Sequence, residues 1–212
     1  MIRPKVTFPR SPSIPVTDSA IHEALMNVPR HRFVPKQYAD LAYADTALPI
    51  GYSQTISQPY MVAVMTQLLC VNVHAKVLEV GTGSGYQAAI LAQLAQHVFS
   101  TELIPELAAR ALRCLRGIDC RRVRVRHTDG SAGWPEQAPF DRIILTCAAP
   151  AVPEPLWAQL RPGGRMVAPI GEDLGTQRLV LLCKGIDSSR IEKDIMAVQF
   201  VPLIEQGLGQ QP

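Results

Sequence analysis

Apolar positions along the chain follow two rhythms, and the change comes near residue 75. Before it, helical spacing dominates. Ile21, Ala24, Leu25 and Val28 recur three and four residues apart, which predicts an amphipathic helix over about 18–28. RHRFVP (30–35) ends it, because Pro35 holds the residue before it extended. YMVAVMTQLLCV (60–71) is apolar enough for a buried helix. Ahead of it lie ALPIGY (47–52) and the polar run SQTISQP (53–59), locally a connector in which Thr55 or Ser57 caps the following helix.

Beyond residue 75, short apolar runs alternate with helical stretches. KVLEV (76–80) reads as a strand buried on both faces, followed by a glycine-rich turn and a helix, YQAAILAQLAQH (86–97). HVFST (97–101) is a second strand. The helix after it has Pro105 at its start, Glu106 in its first turn, Arg110, Arg113 and Arg116 further on, and Gly117 as its stop. Leu107, Ala108, Ala111, Leu112 and Leu115 form its apolar face. VRVRH (123–127) and RIILTC (142–147) supply two more strands, and PEPLWAQL (153–160) a short helix ended by the turn RPGG (161–164). RMVAPI (165–170), RLVLLCK (178–184) and IMAVQFVPL (195–203) complete the set. This alternation predicts an α/β fold: a mostly parallel sheet with helices on both faces and ligands at the carboxyl ends of the strands. The last three strands have no long helix between them, which predicts an antiparallel element near the C-terminus.

Composition narrows the class. The 212 residues are 47% hydrophobic and 18% charged, which suits one globular domain over 18–205. The four prolines of residues 1–15 make 1–17 an extended or disordered lead-in, and 206–212 reads as a flexible tail. A net charge of +3 is too mild for a nucleic-acid partner. The densest basic stretch, CRRVRVR (120–126), reads as a solvated strand face. Five scattered cysteines without a C-x-x-C pair support neither zinc nor a disulfide framework, and point to a reducing, cytoplasmic setting. The five histidines lie on separate elements, so no metal is expected; no apolar run is long enough to span a membrane.

The chemistry concentrates in VLEVGTGSGYQ (77–87). Gly81, Gly83 and Gly85 sit where a buried strand turns into a helix, so backbone amides can approach a ligand without side chains in the way. Glu102, 21 positions beyond Gly81, ends the next strand, where an acid accepts hydrogen bonds from ribose hydroxyls. The dinucleotide fingerprint needs a glycine at position 86, which is Tyr86, so a pyrophosphate fits poorly. Glu79, just before the glycines, suits a cationic ligand. Asp129 and Gly130 close the third strand and set another carboxylate at the same edge, for an adenine amino group. Three acids, a glycine turn and no phosphate-binding lysine point to S-adenosyl-L-methionine, and so to a class I, Rossmann-like methyltransferase.

Several separate stretches resemble one family, the protein-L-isoaspartate (D-aspartate) O-methyltransferases. They are ALMNVPRHRFVP (24–35), AYADTALPIGYSQTISQPYMVAVM (42–65), VLEVGTGSGYQAAILAQL (77–94), DGSAGW (129–134), APFDRIILTCAA (138–149), LRPGGRMVAPIG (160–171) and FVPL (200–203). TISQP together with FVPL is the most specific part. The resemblance implies methylation of the free α-carboxylate of L-isoaspartyl residues in damaged proteins and peptides, with S-adenosyl-L-homocysteine as product. It implies that Ser57 is the active-site residue, that Thr55, Ile56 and Ser57 also line the cofactor, and that Gln58 and Pro59 lie near the substrate. It further implies that Val201 and its neighbours pair with the substrate backbone. Leu103 replaces the arginine usual after the ribose acid, and Thr128 the glycine usual before Asp-Gly. Two other readings share these features: a carboxyl methyltransferase for a different carboxylate, and a non-catalytic module that binds S-adenosylmethionine and recognises a protein.

Overall fold

A computed structural model describes residues 14–172 and 176–204. The lead-in up to residue 13 and the tail from 205 lie outside the described residues. Ile14 to Thr17 run extended along a helix: the Ile14 carbonyl accepts from Tyr60 Oη at 3.1 Å, and Gln67 bonds Pro15 O and Thr17 N.

Helix α1 (Ser19–Asn27) starts at Asp18, whose carboxylate accepts from Ala20 N at 2.9 Å, and buries Ile21, Ala24 and Leu25. Two short 3-10 turns lead to a hairpin that the apolar pattern does not announce, β1 (Leu48–Gly51) and β2 (Gln54–Ile56). Tyr52 and Ser53 at its tip both have φ of 55°, the left-handed region expected of a two-residue hairpin turn. Asparagine and glycine usually take those positions, so sequence masks the turn. The run 53–59 is thus partly strand. Helix α2 (Pro59–Leu69) follows.

Seven strands form the main sheet in the order β5-β4-β3-β6-β7-β8-β9. They are β3 (Lys76–Val80), β4 (His97–Glu102), β5 (Val123–His127), β6 (Phe140–Leu145), β7 (Leu160–Ile170), β8 (Gln177–Lys184) and β9 (Arg190–Val198). The first five run parallel; β8 and β9 are antiparallel. Alternate residues of each strand face opposite layers. On one side Leu78, Val80, Ile143 and Leu145 pack with Leu156 of α5 (Glu154–Gln159). On the other, Val77, Val98, Ile144 and Val167 meet α2 and α3 (Tyr86–Leu94). Helix α4 (Pro105–Gly117) packs through Leu107 and Leu115 beside α3.

Several boundaries differ from expectation: β6 (Phe140–Leu145) is shifted two residues toward the N-terminus from 142–147, and three differences are larger. Helix α3 stops at Leu94, three residues early. The RPGG turn is absorbed into β7 as an irregularity between the Phe140 and Arg142 pairings, with Gly163 at φ +75°. Strand β9 begins at Arg190 and ends at Val198, because its exposed first half, RIEKD, carries no apolar signal. FVPL leaves the sheet and lies beside Ala148 instead: Ala148 N donates to Val201 O at 2.8 Å, and Leu203 N to Ala148 O at 2.7 Å. Strand β3 has β4 on one side and β6 on the other, so the crossovers part there and open a crevice at the carboxyl ends.

Candidate active site

The glycine turn is strapped to the end of β4. Gly81 N and Thr82 N both donate to Thr101 O, at 2.9 and 3.0 Å. Gly81 has φ of +93°, and a side chain there would meet Thr146 Oγ1 at 2.6 Å. Only glycine fits both demands. Gly83 N donates to Glu102 Oε2 at 2.7 Å, and Ile104 N to Oε1 at 2.9 Å, so backbone amides fix the acid's orientation. Gly130 lies under this floor, where a Cβ would strike Val80 and Thr101. The resulting cleft is open at its mouth and holds about 750 Å³ of empty space when that open solvent is counted.

Its opposite wall is the serine loop. Thr55, Ile56 and Ser57 line it, as do Gly81, Gly83, Glu102, Leu103, Gly130 and Val201 from the other side. Among the described residues the Ser57 hydroxyl has no hydrogen-bond partner, while its carbonyl accepts from Arg30 Nη2 at 2.9 Å. Neither Thr55 nor Ser57 caps α2. Gln58 is the N-cap residue, without a side-chain cap bond, and Asp45 does the capping from outside by accepting from Tyr60 N at 2.8 Å. Pro59 has no N–H to offer, so the first amide needing a partner is that of Tyr60.

A second cleft adjoins the first, bounded by Ala47, Gln58, Tyr60, Met61 and residues 196–201. Thr55, Ser57, Thr146 and Val201 stand on the walls of both. Among the described residues, no Asp, Glu, Lys, Arg or His lines the second cleft, and no His or Lys lines the first. Gln177, wholly buried, holds the rim: its amide accepts from Phe200 N at 2.6 Å and donates to Phe200 O at 3.1 Å, as a neighbouring strand would. With the Val201 carbonyl already bonded to Ala148, Val201 meets the cleft as a wall residue whose main chain is partly committed.

Four expected ligand residues are not on these walls. Glu79 faces the α2 and α3 layer, on the opposite side of β3 from Val80, and is wholly buried behind the turn. The Ser100 hydroxyl donates to one of its oxygens, and Oε1 has no partner among the described residues. Burial pushes its carboxyl up to about 8; the Ser100 bond opposes this and nearby Glu102 adds to it. Gly85 (φ +87°) serves packing, since a Cβ there would meet Ala111 at 3.2 Å. The Asp129 carboxylate accepts from Ser131 N and Oγ, both at 2.8 Å, and shapes its own turn. Pro59 is buried in the first turn of α2.

Other residues enter that the sequence did not single out. Thr146 directly follows β6 at the ligand edge, which was its one available signal, and donates to Val80 O at 3.1 Å. Arg30 and Asp45 act across long stretches of chain and leave no local mark. Cys147 lines the first cleft, but burial pushes its thiol up to about 12 and keeps it neutral. Trp134 packs edge-on against Phe99, ring centres 5.4 Å apart, and lines neither cleft. Among the described residues no group of three or more His, Cys, Asp or Glu could hold a metal, and no helix is long and apolar enough to cross a membrane.

Comparison with known proteins agrees with this geometry. Residues 13–207 match the family model described as protein-L-isoaspartate(D-aspartate) O-methyltransferase. A protein-L-isoaspartate O-methyltransferase 1 of Anaeromyxobacter sp. (strain Fw109-5) is 54% identical over 189 residues, covering 89% of each chain. One of Gloeobacter violaceus is 48% identical over 191 residues, covering 90% of this chain and 93% of its own. A solved protein-L-isoaspartate O-methyltransferase superposes with a TM-score of 0.82 at 28% identity, over 91% of this chain and 63% of that one. For the fold alone, a Plasmodium falciparum structure in complex with S-adenosyl-L-homocysteine gives 0.77 over 89% of this chain and 92% of its own, at 24% identity. The fold is that of a Rossmann-like methyltransferase, and the chain belongs to the protein-L-isoaspartate (D-aspartate) O-methyltransferase family.

Proposed function

We propose that this protein methylates the free α-carboxylate of L-isoaspartyl residues in damaged proteins and peptides, using S-adenosyl-L-methionine. What carries the reading is the pair of adjoining clefts whose common wall is Thr55, Ser57, Thr146 and Val201. The first suits a nucleoside carrying a methionine arm. Gly81 and Gly130 let the backbone of the floor lie against Thr146, Val80 and Thr101 where no side chain would fit, and Glu102 offers fixed acceptors for ribose hydroxyls. When bound, the cofactor supplies a methyl group on a positively charged sulfur, which leaves as S-adenosyl-L-homocysteine. The second cleft, with no charged side chain among the described residues, suits a length of peptide.

A carboxylate is ionised near neutral pH, so attack on the methyl carbon needs no base. The carboxylate oxygen forms the new bond, the carbon–sulfur bond breaks, and its electron pair stays on sulfur; no proton moves. The chain has only to align the partners and keep water out. Ser57 orients the carboxylate through its hydroxyl, Thr55 and Ile56 cover the cofactor, Gln58 meets the peptide, and Leu103 packs beside the ribose acid. Asp129 and Pro59 act at one remove, by shaping the turn and the helix start behind the walls. Five free thiols support a cytoplasmic setting.

Repair has a chemical signature. The next peptide nitrogen attacks the methyl ester and expels methanol, giving a succinimide that water then opens in part to ordinary aspartate. Mass spectrometry of an isoaspartyl peptide should show ester, then succinimide, then a gain of aspartyl peptide. A stable ester that never cyclises would mean methylation at some other carboxylate.

A further inference from the structure

The segment 57–60 is held by two charged side chains from far earlier in the chain. Arg30, wholly buried, donates to the carbonyls of Ala42, Thr46 (3.1 Å) and Ser57 (2.9 Å), with its guanidinium 5.7 Å from the centre of the Tyr86 ring. Asp45 takes the other flank. Its Oδ1 accepts from Tyr60 N and its Oδ2 from Gln58 Nε2, both at 2.8 Å.

That last bond has a consequence for the peptide cleft. A carboxylate oxygen accepts, so it meets the NH₂ end of the Gln58 amide. Nε2 is committed to Asp45, and Oε1, which has no hydrogen-bond partner among the described residues, is the group left to the cleft that Gln58 lines. A backbone N–H of an extended peptide is the donor that such an acceptor recognises.

We infer that Asp45 is a positioning residue for substrate binding: it turns Gln58 so that Oε1 faces a backbone N–H of the bound peptide. The inference rests on the methyltransferase reading above and adds the residue that orients the peptide contact. Asparagine at position 45 keeps an acceptor for Tyr60 N but sets its own NH₂ against Nε2 of Gln58. The Gln58 amide then flips and offers the peptide a donor instead of an acceptor.

A double-mutant cycle tests this, with wild type, Asp45→Asn, Gln58→Ala and the double variant assayed on one isoaspartyl peptide. Asp45→Asn should raise KM for the peptide about tenfold, the scale of one hydrogen bond lost at a binding site. Turnover at saturation and affinity for S-adenosyl-L-homocysteine should stay within about twofold. In the Gln58→Ala background the same change should add almost nothing. Equal effects of Asp45→Asn in both backgrounds, or an unchanged KM in Gln58→Ala, would overturn the inference and leave the methyltransferase reading standing. Parallel loss of cofactor affinity in Asp45→Asn would reduce Asp45 to a support of the fold. A wild-type protein that leaves the peptide unmethylated would remove the reading and the inference with it.

Discussion

Glu79 stands two residues before the first glycine of the turn with no exposed surface, and one of its oxygens has no partner among the described residues. A carboxyl in that setting keeps its proton to about pH 8, whereas in the unfolded chain it ionises near 4.5. The folded state therefore binds the proton more tightly. The stability this gives is complete below about pH 4.5 and is lost as pH rises through 8. The slope should approach about 1.4 kcal/mol per pH unit in between. Glu79→Gln removes the titration, so denaturation of both proteins at several pH values should show the variant gaining on wild type from pH 5 to 8. A difference that is flat with pH would mean Glu79 is ionised in its burial. Ser57 makes a different prediction. Its hydroxyl is uncommitted within the described structure, so Ser57→Ala costs the fold little. Turnover should fall on the order of a hundredfold, an orienting contact's worth, while S-adenosyl-L-homocysteine affinity changes little. Equal loss of both would move Ser57 from the carboxylate to the cofactor or the fold.

Elements were legible where their signal is local. Strands β3 and β5 and helix α4 keep the limits that their apolar runs, Pro105 and Gly117 announce. Hairpin β1–β2 was not legible, because its strands are four and three residues long and its tip places Tyr52 and Ser53 where asparagine and glycine are usual. The polar half of β9 was hidden for a similar reason: an exposed edge strand needs no apolar alternation. Gly85 shows how one motif serves two purposes. Gly81 and Gly83 line the cleft, while Gly85 lets α3 approach α4 closely. Gly85→Ala meets both a left-handed backbone and the Ala111 contact, and should cost about 1–3 kcal/mol of stability by chemical denaturation. Its residual folded fraction should keep S-adenosyl-L-homocysteine affinity. A variant as stable as wild type would mean that the two helices part easily.

At the scale of the whole molecule, the sheet brings the glycine turn and Glu102 to its carboxyl edge, and these two lay within reach of sequence because the motif spans about one strand–helix–strand unit. The other half of the site is assembled by the chain before and after that unit. Arg30 and Asp45 reach Ser57, Gln58 and Tyr60 across 13 to 27 positions, and Gln177 meets Phe200 across 23. Contacts of that range leave no periodicity, so only the resemblance of TISQP and FVPL to a family pointed there. The common wall of two clefts is the property on which the proposed methyl transfer rests, as against a nucleoside-binding module. Methyl transfer itself decides this. With labelled S-adenosyl-L-methionine and matched peptides that differ only in carrying isoaspartate or aspartate, base-labile label should appear on the isoaspartyl peptide alone. Cofactor binding without label on either peptide would contradict it.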